Sequence, residues 1–594
     1  MSVARNHIRR FRMNMVFGML MLLFAVMLVR LGKLQLVDGA QYAAEADANH
    51  QGAYRLAATR GRILDRGGVP LAVPKPARRL GVDPSSVRDP RTFALALSDH
   101  LGGELQPWQI RDVLQAAQTW ARDRERDLPQ YRILMPYVDD PALVSRLDEL
   151  ASLSIRRKRA AGVWGAVVHR EEGRSYPNGD YAAHVLGQIP AGPDRPGTGV
   201  EEWLDPHLAG RDLEITITRD ARRRGYAQTR GGPRPSTAGR DVRLTIDITI
   251  QHMLERAMDE MVLEHGPHQA AGVVLDPHSG EILAMASRPT FDPNRKPANA
   301  NLAIQGLYEP GSFFKPFTVA SALGHGVVES DEILAMPPSR LFRHERALIR
   351  DSHEIGAGTV VRLIGHSSNT GAAELADRLG CERMRALFEG LFPDRDGGTR
   401  SGLPYEKRGG PRESTWPWWR AHRAAYGQGI RITPLQMATA FAAFARDDAR
   451  IPQVRIALED TRPVAAGPVI CRPEHLDVVR AGLLACTTEG TAARVFAGTP
   501  FAVAAKTATA EQKGSLDGQP VTFENCSVTA YAPAENPQVV VLMLGQVMAE
   551  RGISGGRVAG PYVRRVLEGV LNYWQALPVP EAPRRTAAAD GGAR

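Results

Sequence analysis

Tyr308-Glu-Pro-Gly-Ser-Phe-Phe-Lys-Pro316 decides how the rest of the chain is read. A serine three residues before a lysine, at the start of a helix, places both side chains on one face a turn apart. At that spacing an amine can take the proton from a hydroxyl about to become a nucleophile. Ser312-Phe-Phe-Lys315 is the one Ser-x-x-Lys in the chain, and only eight of its 74 basic residues are lysine. Arginine serves almost everywhere that a generic positive charge would do. A lysine kept at 315 therefore points to chemistry that needs a releasable proton, which arginine cannot supply. Downstream come Ser367-Ser-Asn369 and Lys506-Thr-Ala508; each is weak alone, and their order carries the information.

The flanks extend the pattern over long stretches. They are Asp241-Val-Arg-Leu-Thr-Ile-Asp-Ile-Thr-Ile-Gln251, Val274-Leu-Asp-Pro-His-Ser-Gly-Glu-Ile-Leu-Ala-Met-Ala-Ser287 and Gly427-Gln-Gly-Ile-Arg-Ile-Thr-Pro-Leu-Gln436. Tyr531-Ala-Pro-Ala-Glu-Asn-Pro537 and Gly555-Gly-Arg-Val-Ala-Gly-Pro561 close the set. With these motifs in this order the chain resembles the class B penicillin-binding proteins, serine acyltransferases of the cell wall, and most closely their division-type FtsI branch. The resemblance runs from about residue 15 to 575. It implies an α/β (α+β) fold: a transpeptidase domain with an antiparallel sheet flanked by helices, an elongated α+β pedestal and one N-terminal membrane helix. The expected division is 1–38 basic tail and anchor, 39–235 pedestal of the dimerisation type, 236–575 transpeptidase domain and 576–594 disordered tail.

The same resemblance implies the chemistry. Ser312 attacks the carbonyl between two D-alanines of a peptidoglycan stem peptide, with Lys315 as base, its pKa lowered by burial. Ser367 relays the proton to the departing D-alanine, and Asn369 holds the acyl chain. Lys506 and Thr507 bind the terminal carboxylate and hold the relay, while the N–H groups of Ser312 and Thr509 form the oxyanion hole. β-Lactams bind the same serine, and no metal or organic cofactor is needed. Two positions depart from the family pattern. Ala508 stands where glycine is usual, and its methyl could narrow the cleft, lower β-lactam affinity or be absorbed by a small backbone shift. Glu524-Asn-Cys-Ser-Val-Thr-Ala-Tyr531 replaces the aromatic and glycine often found before the Tyr-Ala-Pro or Phe-Ala-Pro of the family. Phe313 for the usual threonine is expected to point elsewhere on the helix.

At 594 residues more than one domain is expected, and an apolar share of 43% fits a folded protein. The net charge of +9 is spread along the chain with no clustered basic stripe, which argues against a nucleic-acid partner. Met15 to Val29 is an unbroken apolar run behind Arg5, Arg9, Arg10 and Arg12. No small-residue cleavage site follows, so an uncleaved inner-membrane anchor with its basic end in the cytoplasm is expected, and the catalytic part outside. A helix between Cys471 and Cys486 would hold them roughly 20 Å apart, beyond disulfide reach. Cys381 and Cys526 read as buried thiols.

Arg60-Gly-Arg-Ile-Leu-Asp-Arg-Gly-Gly-Val-Pro-Leu-Ala72 reads as strand, Gly-Gly turn and strand, with Arg60, Asp65 and Arg66 as an internal salt-bridge cluster. Gln41 to Asn49 reads as a helical stalk. Residues 90 to 160 read as mostly helical, with Trp108, Ile110, Val113 and Leu114 on one face. The stretch 170 to 215 resembles the loop-and-strand part of the family's pedestal, and His184 within it reads as structural. Arg223 to Arg240 reads as a linker or hairpin. Trp416, Trp418 and Trp419 read as a loop packed on the domain or lining its acceptor side. The stretch before residue 236 shows no transglycosylase motif, so the implied partner is a polytopic membrane glycosyltransferase of the division or elongation machinery. Two rival functions remain: a scaffold whose site has decayed at Ala508, and a carboxypeptidase or β-lactamase on the same fold.

Overall fold

The computed structural model describes residues 2–42, 51–56, 58–123, 131–138, 140–189, 197–211, 213–219, 225–226, 238–295, 297–342, 347–392, 401–410, 418–458, 467–549 and 552–576. Most of the expected stalk and of the 223–240 linker, nearly all of the tail, and the side chains of Trp416, Trp418 and Trp419 lie outside them. The chain divides into two compact units, 1–59 with 209–239, and 60–208 with 240–594.

In the first unit, helix α1 (Ser2–Gly32) runs into a π-helical turn at Lys33–Val37. Arg10–Val37 is the one helix among the described residues long and apolar enough to cross a membrane. Strand Gln51–Leu56 pairs antiparallel with Leu213–Arg219 in the same unit.

In the second unit, β1 (Ile63–Leu64) and β2 (Pro70–Val82) form the hairpin that the Gly-Gly turn predicts. Arg60 pairs with Glu201 at 2.8 Å and Asp205 at 2.5 Å, and Arg66 pairs with Glu281 at 3.3 Å. Asp65 departs from the expected ion cluster: its Oδ1 accepts from the N–H groups of Gly67 and Val69, at 2.8 and 2.7 Å, and so shapes the turn. Helix α2 (Pro107–Asp123) buries Ile110, Leu114, Ala117 and Ala121. Trp108 is 55% exposed, which corrects the expected face: at the helix N-terminus it falls outside the stripe continued by Ala117 and Ala121. Strands β3 (Arg132–Val138) and β4 (Ala166–Ser175) pair with β2, and β5 (Val242–Arg243) runs parallel to β1. Between β4 and β5 the expected loop-and-strand region contains short helices at Ala183–Leu186, Gly199–Trp203 and Asp205–Leu208. His184 is buried there, with Nε2 2.7 Å from Asn299 Oδ1 and its ring edge-on to Phe291.

The main sheet is built around α3 (Ile248–His265), capped by Asp247, whose carboxylate accepts from the Thr249 N–H at 2.9 Å. Strands β6 (Gln269–Leu275) and β7 (Ile282–Arg288) form the hairpin that the alternation from His268 to Met285 about a turn at Pro277-His-Ser-Gly280 predicts. Gln251 on α3 stitches helix to sheet, donating to Met285 O and accepting from Met285 N–H. After α4 (Lys315–Gly324) come a small hairpin, β8 (Ser339–Phe342) with β9 (Ala347–Arg350), then α5 (Val360–His366), α6 (Asn369–Leu391), α7 (Pro434–Ala442) and α8 (Pro473–Thr488). Strands β10 (Ala504–Leu516), β11 (Gln519–Ala532) and β12 (Val539–Met548) complete an antiparallel sheet of order β7-β6-β12-β11-β10, which leaves β10 at the edge. Helices α9 (Gly555–Val558) and α10 (Gly560–Ala576) end the described chain.

Both faces of this sheet are covered at its centre, so β6 from Ala270 to Leu275 and β12 from Val539 to Leu544 are buried and apolar at every step rather than at alternate ones. Ala271, Val273, Leu275, Val540, Leu542 and Leu544 join the core that holds Phe313, Phe314 and Phe317. Ala270, Val274, Val541 and Met543 join a second core with α3 and α10. None of the four cysteines is in a disulfide; Cys526 is buried as expected, whereas Cys381 is only half-buried.

Candidate active site

A 3-10 turn, Gly311–Phe314, leads into α4 and puts Ser312 half-buried just ahead of fully buried Lys315. Pro316 at the helix start has no N–H to leave unpaired there. Phe313 and Phe314 anchor the turn from below: Phe313 packs on Phe317 and Phe441, and Phe314 stacks on Phe388 at 3.9 Å between centroids. The turn is also held from the side by residues 427–432. Gly311 N–H donates to Gly427 O at 3.0 Å, and Tyr308 and Ile432 exchange two backbone bonds at 3.0 Å. A β-carbon on Gly427 would lie 2.1 Å from Gly311 O, which explains a glycine at that place in the quoted motif. Thr433 and Gln436 of the same motif cap α7 reciprocally.

Ser367 lies just past the end of α5 with φ 64° and ψ 46°, a left-handed position that glycine usually fills at a helix end. For serine the conformation costs roughly 1–2 kcal/mol. It turns Oγ between two amines, Lys315 Nζ and Lys506 Nζ, each 3.0 Å away. Lys315 Nζ also donates to Ser367 O, and Lys506 Nζ to Thr507 O at 3.0 Å. Burial drives the Lys315 amine well below its ordinary pKa, the charge of Lys506 pushes it the same way, and Asp351 opposes them. Burial also lowers Lys506, with a smaller opposing effect from Cys486.

The structure thus joins Lys315, Ser367 and Lys506 through hydrogen bonds, with Ser312 on the adjoining turn. Asn369, the first residue of α6, donates its side-chain N–H to Arg350 O at 2.8 Å. Thr507 and Thr509 leave the cluster by strand alternation, since their side chains take the face opposite Lys506 and Ala508. Thr507 Oγ1 lies 2.6 Å from Thr491 Oγ1, and Thr509 Oγ1 accepts from Gly555 N–H at 2.9 Å. What these threonines offer the lysine side of the strand is backbone. Ala508 is buried in the core that holds Phe313, Phe314 and Phe317.

Sequence reasoning missed Asp351. Its carboxylate accepts from Ser368 Oγ at 2.8 Å, from Thr370 Oγ1 at 2.9 Å and from the N–H groups of Asn369 and Thr370. It therefore fixes the Ser-Ser-Asn turn and caps α6 with negative charge. Gln512, Asn525 and Gln546 were also missed. They form a hydrogen-bonded row across β10, β11 and β12 that reaches Glu309 N–H, at 2.8, 3.0 and 3.3 Å. A carboxylate 18 positions before its partners leaves no local signal; the glutamine row was findable only from strand register.

The arrangement matches known proteins over nearly its whole length. The model of the penicillin binding protein transpeptidase domain matches residues 270–568, and that of the penicillin-binding protein dimerisation domain matches 55–244. The probable peptidoglycan D,D-transpeptidase PenA of Neisseria gonorrhoeae is 28% identical, covering 94% of this chain and 92% of its own. Peptidoglycan D,D-transpeptidase FtsI of Escherichia coli K12 is 25% identical, covering 96% and 92%. Among solved structures, a peptidoglycan synthetase from Bifidobacterium adolescentis superposes with a TM-score of 0.63 at 21% identity, covering 91% of this chain and 99% of its own. That likeness is one of fold.

Proposed function

The chain belongs to the penicillin-binding protein transpeptidase family, and from that premise we propose that it is a class B peptidoglycan D,D-transpeptidase working through an acyl-serine. The observation that carries the reading is the Ser367 hydroxyl held at 3.0 Å from two buried lysine amines beside the Ser312 turn. Burial and the neighbouring Lys506 charge favour the neutral form of the Lys315 amine, which a base requires, against a smaller opposing effect of Asp351.

Lys315 accepts the Ser312 proton as Oγ bonds to the penultimate D-alanine carbonyl. The developing oxyanion takes hydrogen bonds from the N–H groups of Ser312 and Thr509. The C–N bond then breaks, and the leaving D-alanine amine collects its proton through Ser367, held by Lys506. A second stem peptide's amine attacks the ester, restores the Ser312 proton and leaves a cross-link. Lys506 and the Thr507 segment hold the terminal carboxylate, and Asn369 exchanges its bond to Arg350 O for the acyl chain. β-Lactams acylate the same serine. The relatives named as D,D-transpeptidases support this reading over most of the chain.

Residues 39–235 are the pedestal and 236–575 the catalytic domain, supported by the two family matches. The Arg10–Val37 helix is the anchor, its arginine-rich end cytoplasmic and the catalytic domain outside. A polytopic glycosyltransferase supplies the glycan strands, in a septal role. Incubation of the purified chain with a D-Ala-D-Ala-type stem-peptide ester and a D-amino acid acceptor tests the reaction. Transfer to the amine, lost in Ser312→Ala, is expected. Hydrolysis alone would point to a carboxypeptidase, and turnover by neither protein to a scaffold.

A further inference from the structure

Ser367 and Lys506 come from separate elements, the end of α5 and the edge strand β10, yet their atoms must hold a 3.0 Å spacing. The segment that closes α8 lies against both. Gly365, two residues before Ser367, receives the N–H of Thr491 at 3.2 Å. On the other side Thr491 Oγ1 lies 2.6 Å from Thr507 Oγ1, on the residue next to Lys506, whose amine in turn donates to Thr507 O. Cys486 Sγ completes the surroundings of that hydroxyl at 3.2 Å. The approach is tight: a β-carbon on Gly490 would lie 2.1 Å from Gly365 O, and one on Gly365 would lie 3.0 Å from Ala485 Cβ.

We propose that Thr491 is a positioning residue for the acyl-transfer reaction, a strut that sets the distance between the Ser367 hydroxyl and the Lys506 amine. The inference rests on the transpeptidase reading. Its backbone holds the serine side through Gly365, and its hydroxyl holds the lysine side through Thr507. Thr491 itself touches no reacting atom. Removing the hydroxyl strands the Thr507 Oγ1 partner in a buried place and frees the Lys506 segment to drift. Lys315 then also loses part of the neighbouring charge that keeps its amine neutral, so acylation needs a higher pH.

The test is the second-order rate of labelling by a fluorescent penicillin, across pH, for parent, Thr491→Val, Thr491→Ser and the pair Thr491→Val with Thr507→Val. Between about tenfold and a hundredfold slowing is expected in Thr491→Val, the size of a small misplacement in a reacting group, with its acid limb moved to higher pH. Thr491→Ser restores the rate and the profile, and, measured beside Thr507→Val alone, the double variant loses clearly less than the two singles combined. Thr491→Val labelling at the parent rate with an unmoved profile would overturn the proposal. So would equal slowing of the Val and Ser variants alongside a lowered melting temperature, since that is loss of packing. If Thr491→Val does not fold, Thr507→Val with Thr491→Ser gives the same decision from the other end of the bond. A parent that shows no adduct at Ser312 would remove the transpeptidase reading itself, an outcome distinct from a labelled parent with an indifferent Thr491.

Discussion

Ser367 is the residue on which the site turns, because a left-handed serine is tolerated only where its surroundings over-determine it. Two lysines do so here, and their own burial is what makes them useful. Lys315→Met is expected to slow acylation by about a hundredfold to ten-thousandfold, the range for a lost general base. It should also change the pH dependence of stability. The folded amine's pKa lies well below its ordinary value of 10.5, so between the two the unfolded chain binds more protons. Parent stability therefore rises with pH across that window. Lys315→Met removes this contribution, so its stability relative to parent is greatest at the acid end and converges as pH passes 10.5. Denaturant melts at several pH values check the sign. Asp351→Asn, which removes the charge from four accepted hydrogen-bond contacts, is expected to cost about 1.5–3 kcal/mol and to slow labelling, measured by the same melts and a penicillin time course. That Lys315, Ser367 and Lys506 come together beside the Ser312 turn was readable because lysine is so scarce and the three motifs come in order. Asp351 and Thr491 were not, since aspartate and threonine are common and their partners lie far off in sequence.

At the scale of elements, the nucleophile turn works because it is clamped from three sides: α7 and the aromatic residues below, 427–432 beside it, and β10 across from it. Gly427→Ala is the direct test of the clamp. With φ at +78° and Gly311 O in the way, the added methyl strains its own backbone and displaces the turn. A stability loss above about 1 kcal/mol is expected, with labelling slowed beyond what the melting shift explains. An unchanged labelling rate would mean the clamp is not needed. The β6–β7 hairpin was legible from the alternation of His268 to Met285 about a turn at Pro277-His-Ser-Gly280. The helices at 183–186 and 199–203 were not, because four or five residues are too few to show a period. Trp108 misled for a related reason: the buried stripe of α2 is completed by alanines, which carry little weight in a sequence pattern.

At the scale of the molecule, the central sheet separates two apolar cores, one under the nucleophile and one under α3 and α10. Period-two alternation sends successive residues of one strand to different cores, so the reactive face can vary while the other holds the sheet. Ala508 and the stretch 524–531 fall on the adjacent strands β10 and β11. Ala508 lies on the edge strand β10, which is braced on its other face through Thr507 and Thr509. The anchor proposed for Arg10–Val37 makes its own prediction: the full chain fractionates with membranes and resists carbonate extraction, and a freely soluble full chain would contradict it. The central claim is the acyl-serine at residue 312. It is tested most directly by labelling the purified chain with penicillin and locating the adduct by intact and peptide mass, beside Ser312→Ala. A single stable adduct on the peptide carrying Ser312, absent from the variant, is the predicted result. An adduct that persists in Ser312→Ala, or none on the parent at saturating drug, would contradict it.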